Sequence, residues 1–328
     1  MSEGSVVVVL AAVACAAVMG YAIQRGATCT VAAVDEVLNK RSLNRLASLA
    51  EAALWVAGGL LVARTVMALP RLPPGYAVTG WTIAGAVLLG LGAWVNGACV
   101  FGAIARFGSG QWVYAATPLG YFLGCLSLRT LFAPMAPQRL EAASPMLGLP
   151  GGAVLLFLVF AGWRIVVLAR GGVATLGARI WSPHMATTVI GITFLAMLLM
   201  VGAWAYTDVL NDLARGMAAS LGARVAFALA LLAGAAWGGW SAGLWRPAWP
   251  APAQLLRCLA GGALMGWGTL LIPGSNDGLI LVGMPLLWPY AWLAFATMCA
   301  TIATAMVAAR WIRLSRFHHG RRGDEAAS

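Results

Sequence analysis

The sequence predicts an all-α membrane protein, a polytopic bundle of about nine transmembrane helices. Hydrophobic residues make up 61% of the 328 residues and charged residues only 9%. Soluble globular domains contain roughly 25% charged residues. Because a spanning helix takes roughly 20 apolar residues, a chain of this length has room for nine or so. An ordinary soluble protein is excluded.

Nine apolar runs are separated by charged residues, proline or turn residues. They lie near residues 5–23, 46–68, 78–104, 112–133, 149–169, 186–205, 222–245, 257–273 and 283–310. The first run follows Ser-Glu-Gly-Ser, which lacks the positive charge of a secretory signal. We therefore interpret it as an uncleaved first span.

The net charge of +11 indicates membrane orientation. The arginines lie singly between apolar runs and do not form the basic face of a nucleic-acid-binding protein. The densest basic cluster lies within residues 310–322, so the positive-inside rule predicts a cytoplasmic C-terminus. An odd number of spans then puts the N-terminus outside the inner membrane. This topology places 15 of the 21 Lys and Arg residues at the cytoplasmic face.

Two glycine-rich segments look like copies of each other. Residues 90–102 and 266–278 align without gaps, each with Gly-x-Gly at its start and glycine at its end. Many transporters are built from inverted repeats whose broken helices form a site at mid-membrane. The predicted units are a first half (1–150), a connecting span and cytoplasmic loop (151–179), an inverted second half (180–312) and a disordered cytoplasmic tail (313–328).

Polar residues inside two of the runs predict broken or re-entrant helices. Asn96-Gly97 interrupts one run, and Pro-Gly-Ser-Asn-Asp-Gly at 273–278 ends another. Such residues free backbone groups that lipid cannot satisfy but a polar pathway can. Glycines four residues apart, such as Gly120 and Gly124, are explained by helix packing. Packing does not call for asparagine or aspartate, so these two segments favour a lined pathway.

The chain lacks the common catalytic and metal-binding motifs. It has no HExxH, GxSxG or P-loop, and of its three histidines we interpret His184 as an interfacial residue at a helix start. The six cysteines include no CxxC, which argues against a zinc site or a disulfide framework. We expect no cofactor, no metal and no enzymatic activity.

Two of the cysteines stand beside helix-breaking residues. Cys29 closes the segment 20–29, and Cys99 lies within 96–102. In an apolar helix a cysteine usually acts as a small hydrophobic residue. That interpretation applies to Cys15, Cys125, Cys258 and Cys299.

Three motifs together resemble the YeeE/YedE family of sulfur-transport membrane proteins. They are Gly-x-x-x-Gln-Arg-Gly-x-x-Cys at 20–29, Asn-Gly-Ala-Cys-x-x-Gly at 96–102, and Gly-Gly-x-Leu-Met-Gly-x-Gly-x-x-Leu-x-x-Gly-x-Asn-x-Gly at 261–278. They occur in the family's order and spacing. The resemblance implies broken helices that bring the motif cysteines into a central line, along which thiosulfate or a related species passes. It also implies a cytoplasmic TusA-like sulfurtransferase as partner.

The resemblance assigns roles to individual positions. Cys29 and Cys99 match the first two functional cysteines, and Ser275 stands at the third. The polar lining would be Gln24, Asn96 and Asn276, and the glycines allowing close backbone approach would be Gly26, Gly97, Gly102, Gly274 and Gly278. A hydroxyl is a harder, stronger donor than a thiol. Ser275 therefore supplies an equivalent donor, or the substrate is a different sulfur or selenium species, or another small anion.

Three functions remain open on the sequence. The leading interpretation is an inner-membrane permease that imports thiosulfate, since polar donors in broken helices can replace the water around a dianion. The second is a membrane sulfurtransferase whose thiol hands sulfur to a cytoplasmic acceptor, with Arg25 as the nearby cation in sequence. The third is an accessory subunit whose glycines serve only assembly.

Overall fold

The protein is helical throughout the part of the chain that the computed structural model describes. That part comprises residues 3–131, 137–171, 177–216, 221–248 and 251–325, and it contains no β-strand. The helices, numbered in chain order, are α1 (Glu3–Arg25), α2 (Thr30–Lys40), α3 (Asn44–Val66), α4 (Gly80–Asn96), α5 (Val100–Gly108), α6 (Ala116–Leu131), α7 (Gly152–Arg170), α8 (Pro183–Val201), α9 (Tyr206–Ala214), α10 (Leu221–Ser241), α11 (Pro252–Leu271), α12 (Asn276–Gly278) and α13 (Pro289–Glu325). A π-helical turn, Leu279–Gly283, continues α12.

Seven segments of the described chain are long and apolar enough to cross a membrane. They are Val6–Lys40, Asn44–Val66, Gly80–Gly108, Gly152–Arg170, Pro183–Val201, Gly222–Ser241 and Pro289–Arg313. The bent pair Pro252–Leu271 and Asn276–Gly283 makes an eighth if it counts as one span, and Trp112–Leu128 is a shorter apolar helix. The chain is therefore a multi-pass membrane protein. Helices lie at all nine predicted positions, but seven or eight of them qualify as spans.

The last helix continues into the basic tail. Helix α13 extends to Glu325, so residues 313–325 are helical, in contrast to the disorder predicted for this segment. No proline follows Pro289 to interrupt the helix. Residues 326–328 lie outside the described residues.

The two helices that carry the glycine-rich segments, α4 and α11, pack against each other in antiparallel orientation. A Cβ added at Gly92 of α4 would lie 2.7 Å from the Gly261 carbonyl oxygen of α11. At the other end of the contact, a Cβ at Gly85 would lie 2.7 Å from the Gly268 carbonyl oxygen. The helices can approach this closely because both surfaces lack side chains.

Helix α7 lies at the edge of the bundle. Leu155 and Leu156 expose 65% and 74% of their surface, as lipid-facing side chains do. The helix contacts α3, where the rings of Phe157 and Trp55 meet edge to face at 5.7 Å. Apolar contact with one neighbouring helix and a buried ion pair, described below, hold α7 in place.

Candidate functional site

Three helix breaks place the three predicted motif residues in equivalent positions. Each break separates a long helix from a short one: α1 from α2, α4 from α5, and α11 from α12. The residue directly before the short helix is Cys29, Cys99 and Ser275, respectively, with extended backbone in each case. The chain therefore presents all three side chains where a helix starts anew inside the bundle.

The break before Cys99 is stabilised by its own polar residues. Gly97 has φ of 74°, a left-handed conformation that costs glycine little because it has no Cβ. The Asn96 amide donates to the Ala98 carbonyl at 2.7 Å and accepts from the Thr117 hydroxyl at 2.9 Å. Both polar ends of Asn96 are thus engaged in holding the break open.

Cys29 and Cys99 lie against each other in the interior. Their side chains are in contact, and Cys29 is 8% exposed while Cys99 is fully buried. The Thr30 main-chain N–H donates a hydrogen bond to Cys99 Sγ at 3.1 Å. Gly102 makes room for the pair, because a Cβ there would lie 2.5 Å from Cys29 Sγ. The thiols sit at the N-terminal ends of α2 and α5, where the helix dipoles place partial positive charge.

A small cavity of about 10 Å³ adjoins this thiol pair. It is lined by Gly26, Thr28, Cys29, Arg45, Ser48, Leu49 and Pro183. The Thr28 hydroxyl is buried without a hydrogen-bond partner among the described residues. Gly26 is a close-approach position, since a Cβ there would lie 2.2 Å from Ala186 Cβ. Cys29 therefore borders a space that is also lined by the Arg45 guanidinium and by the Thr28 hydroxyl, which is free to form a hydrogen bond.

Ser275 lies in a different polar cluster, centred on Asp277. The hydroxyls of Ser275 and Thr207 both donate to Asp277 Oδ1 at 2.7 Å. The Ser275 hydroxyl is thus bonded to a carboxylate and not to either thiol. Asp277 shares a small cavity with Phe101 and Ile104 of α5, the helix that begins after Cys99. Helix α5 connects the two clusters.

Asn276 is completely buried, and both of its polar atoms lack partners among the described residues. A buried amide left in this state costs about 1–3 kcal/mol. Gln24 is half satisfied: its Nε2 donates to the Ser109 hydroxyl at 3.2 Å, while its Oε1 lacks a partner in the described chain. An anion could accept a hydrogen bond from the free Asn276 Nδ2, whereas the free Gln24 Oε1 is itself an acceptor and needs a donor.

Gly274 and Gly278, the last two glycines of the third motif, differ in whether the structure needs a glycine at that position. Gly274 has φ of 128°, a conformation that residues with a Cβ rarely adopt. Gly278 lies in ordinary helical conformation, and a Cβ added there would have no heavy atom within 4 Å. Backbone geometry explains Gly274, whereas Gly278 faces open space.

A larger cavity of about 120 Å³ lies along α5 and is bordered by Thr207 of the Asp277 cluster, but neither thiol lines it. Its walls are mainly apolar, and none of its lining residues is charged. They include Tyr114, which accepts a hydrogen bond from Arg106, and Thr207, which bonds to Asp277.

Arg106 is a cation near the thiols that was not predicted. Its guanidinium donates to the Tyr114 hydroxyl, and both groups lie 3.8 Å from the Cβ position of Gly97. The signal in the sequence is the seven-residue interval from Cys99, which returns a helix to the same face. Arg25, the cation expected from the sequence, instead bonds to the Ala178 carbonyl and the Ser241 hydroxyl.

A buried ion cluster was also missed. Arg164 of α7 donates through Nε and Nη2 to the two carboxylate oxygens of Glu51 on α3, at 2.6 and 3.0 Å. His184 does begin α8, as expected, but its Nδ1 faces the same carboxylate. The signal was the presence of Glu51 and Arg164 inside apolar runs, where ionisable residues are costly and usually functional.

These features define a multi-pass membrane protein with three interrupted helices and a buried pair of thiols. A family model described as sulphur transport matches residues 25–304, a range that includes all three breaks. The chain belongs to this family, and its resemblance to the YeeE/YedE proteins is thereby confirmed. A comparison with curated proteins finds no match.

Proposed function

We propose that this protein is an inner-membrane permease that imports a small sulfur-containing anion, with thiosulfate as the leading substrate. Membership of the sulphur transport family supports a sulfur substrate. The observation that carries the proposal is the buried contact between Cys29 and Cys99 at two helix breaks. Cys29, Cys99 and Ser275 act as successive stations for the anion.

The thiol pair suits transient binding of a soft dianion. Thiols are weak hydrogen-bond donors, so they hold an anion without trapping it. The N-terminal N–H groups of α2 and α5 favour negative charge next to them. Arg106 and Arg45 add positive charge nearby without lying between the two sulfurs.

At the third station, Asn276 is the main donor to the substrate. The Ser275 hydroxyl is committed to Asp277, whose negative charge opposes an anion. The neighbouring Asn276 amide has both N–H donors free among the described contacts. Ser275 then positions Asp277 and the break, and Asn276 together with Gln24 lines the pathway.

The proposed membrane arrangement follows the charge distribution. The N-terminus lies outside and the C-terminus in the cytoplasm, where a TusA-like sulfurtransferase would receive the imported sulfur. The protein acts by transport and not as an enzyme.

A second candidate function is sulfur transfer, which the position of Arg106 near Cys29 favours. In that reaction a Cys29 thiolate attacks the outer sulfur of thiosulfate, the sulfur–sulfur bond breaks, and sulfite leaves with the electron pair. The resulting persulfide hands its outer sulfur to a cytoplasmic thiol. Mass spectrometry after incubation with thiosulfate separates the two functions: a persulfide on Cys29 favours transfer, whereas transport without an adduct favours the permease.

The decisive experiment is uptake of ³⁵S-thiosulfate into proteoliposomes that carry the purified protein. We expect uptake by wild type and its loss in the Cys29→Ala, Cys99→Ala double variant. The matched control is Cys15→Ala, Cys299→Ala, which removes two half-buried cysteines outside the motifs. Undiminished uptake in the motif double variant would contradict the assigned roles.

A further inference from the structure

We propose that the cluster of Glu51, Arg164 and His184 is a binding site for a proton that moves with the imported anion. The inference rests on the proposed transport function and adds the coupling ion to it. The cluster joins three helices, α3, α7 and α8, within candidate membrane spans.

Both ring nitrogens of His184 face oxygen acceptors. Nδ1 faces Oε2 of Glu51, and Nε2 lies 3.0 Å from the side-chain oxygen of Asn44. An imidazole with a proton on each nitrogen satisfies both contacts. When the proton leaves, rotation of the Asn44 amide can present its NH₂ group to the bare Nε2. The surroundings thus accommodate His184 in both protonation states.

The Glu51 side chain pairs with Arg164 as well as with His184. Its carboxylate accepts two bonds from Arg164 and one from the Thr188 hydroxyl at 3.2 Å. Trp55 Nε1 donates to the same carboxylate at 3.4 Å. Because Arg164 neutralises the Glu51 carboxylate, His184 is the group of the cluster that we propose gains and loses the proton. The His184 side chain is 28% exposed, against 9% for its two partners, so a proton can reach it.

Two other charged groups near the cluster, Arg45 and Arg25, are engaged elsewhere. Arg45, on α3 next to Asn44, forms an ion pair with Glu36 of α2 at 3.1 Å. Arg25 ends α1, which also packs on α8, and its guanidinium bonds to the Ala178 carbonyl and the Ser241 hydroxyl.

The cluster is physically linked to the thiol pair. Pro183, directly before His184, lines the cavity at Cys29. Ser48 and Leu49, which precede Glu51 on α3, line the same cavity. A shift of the first turn of α8 as His184 gains or loses its proton therefore changes the space next to Cys29.

Import of a dianion also needs a compensating charge. Moving each negative charge inward against an inside-negative potential is unfavourable. A proton that travels with the anion reduces the charge moved and contributes the energy of the pH gradient. A cluster that serves only to attach α7 would not need a histidine with two acceptors.

The experiment uses full-length protein in proteoliposomes with a pH dye inside. For one coupled proton, an outside medium more acidic by one pH unit should raise thiosulfate accumulation about tenfold. Proton entry should accompany thiosulfate entry. We expect His184→Gln to lose this response while still exchanging labelled for unlabelled thiosulfate. The control is His318→Gln, His319→Gln, which removes the two tail histidines.

A second variant tests the ring contact without removing the histidine. Asn44→Ala deletes an acceptor for the protonated ring, so the pH at which uptake is half-maximal should fall. Thiosulfate exchange without any response of wild type to the pH gradient would overturn the inference and leave the proposed function intact. A full response of His184→Gln to the pH gradient would likewise overturn the inference and leave the proposed function intact. Absence of both uptake and exchange in wild type would overturn the proposed function, and this inference with it.

Discussion

The main-chain N–H of Thr30 donates a hydrogen bond to Cys99 Sγ at 3.1 Å, joining two helix breaks that lie 69 residues apart in the chain. The N–H groups of the first turn of a helix have no partner within the helix. Here the Cys99 sulfur accepts a hydrogen bond from one of these N–H groups, that of Thr30. An anion arriving between Cys29 and Cys99 would therefore compete with Cys99 for this donor, so binding and release involve exchange of one hydrogen bond for another.

Gly102 should be intolerant of any side chain. In Gly102→Ala the new Cβ would lie 2.5 Å from Cys29 Sγ and would push the thiol out of place. We expect a loss of about 1–3 kcal/mol of stability from overpacking and a strong fall in uptake. Thermal unfolding in detergent and ³⁵S-thiosulfate uptake measure the two effects. Gly278→Ala is the matched control, because its Cβ meets no neighbour, and it should unfold at or slightly above the wild-type temperature.

Asn276 should be required for transport but not for stability. Asn276→Leu removes two buried polar atoms that lack partners in the described chain, which relieves about 1–3 kcal/mol of desolvation cost. We expect an unchanged or higher unfolding temperature together with loss of thiosulfate uptake. Asn96→Leu should behave in the opposite way in the unfolding assay, because it leaves the Thr117 hydroxyl and the Ala98 carbonyl unpaired. If Asn276→Leu proved markedly unstable, its amide would have a structural role.

Arg106 should affect substrate affinity more than turnover. Its guanidinium lies beside the break at Gly97, two residues before Cys99. In Arg106→Gln we expect the KM for thiosulfate to rise with little change in kcat, and Arg106→Lys to lie between this variant and wild type. Concentration-dependent uptake into proteoliposomes measures both constants. Arg71→Gln, which removes an exposed loop cation, should leave KM unchanged; an equal effect of the two variants would point to general surface charge.

Asp208 of α9 should make the fold sensitive to pH. Burial, aided by the charges of Asp277 and Asp212, raises the pKa of the Asp208 carboxyl to about 7. An acid with a raised folded-state pKa stabilises the fold while protonated, and this contribution disappears as the pH rises from about 4 through about 7. The wild-type unfolding temperature should therefore fall over this range relative to that of Asp208→Asn. The exposed Glu141→Gln should follow wild type; parallel curves for wild type and Asp208→Asn would refute the prediction.

The position of the helix breaks could be read from the sequence. Gly97 adopts a left-handed conformation and Asn96 bonds within its own break, so both act on the chain within a few residues of themselves. The acids of α9 show the limit of such reasoning. A four-residue interval such as that between Asp208 and Asp212 is typical of a solvated helix face, yet Asp212 pairs with Arg224 of α10 and Asp208 is partly buried. The partner of Asp212 comes from a different helix, which the local sequence around Asp212 does not reveal.

By itself, the sequence determined the helical membrane fold, the family and two of the three places where helices are interrupted. These properties follow from local composition and from short motifs whose effect on the backbone does not depend on distant residues. Only the tertiary structure decided that Cys29 meets Cys99, that Ser275 bonds to Asp277, and that Glu51 gathers Arg164 and His184. Each long-range contact depends on how whole helices pack, and packing in lipid is set by the shapes of surfaces that meet from distant parts of the chain.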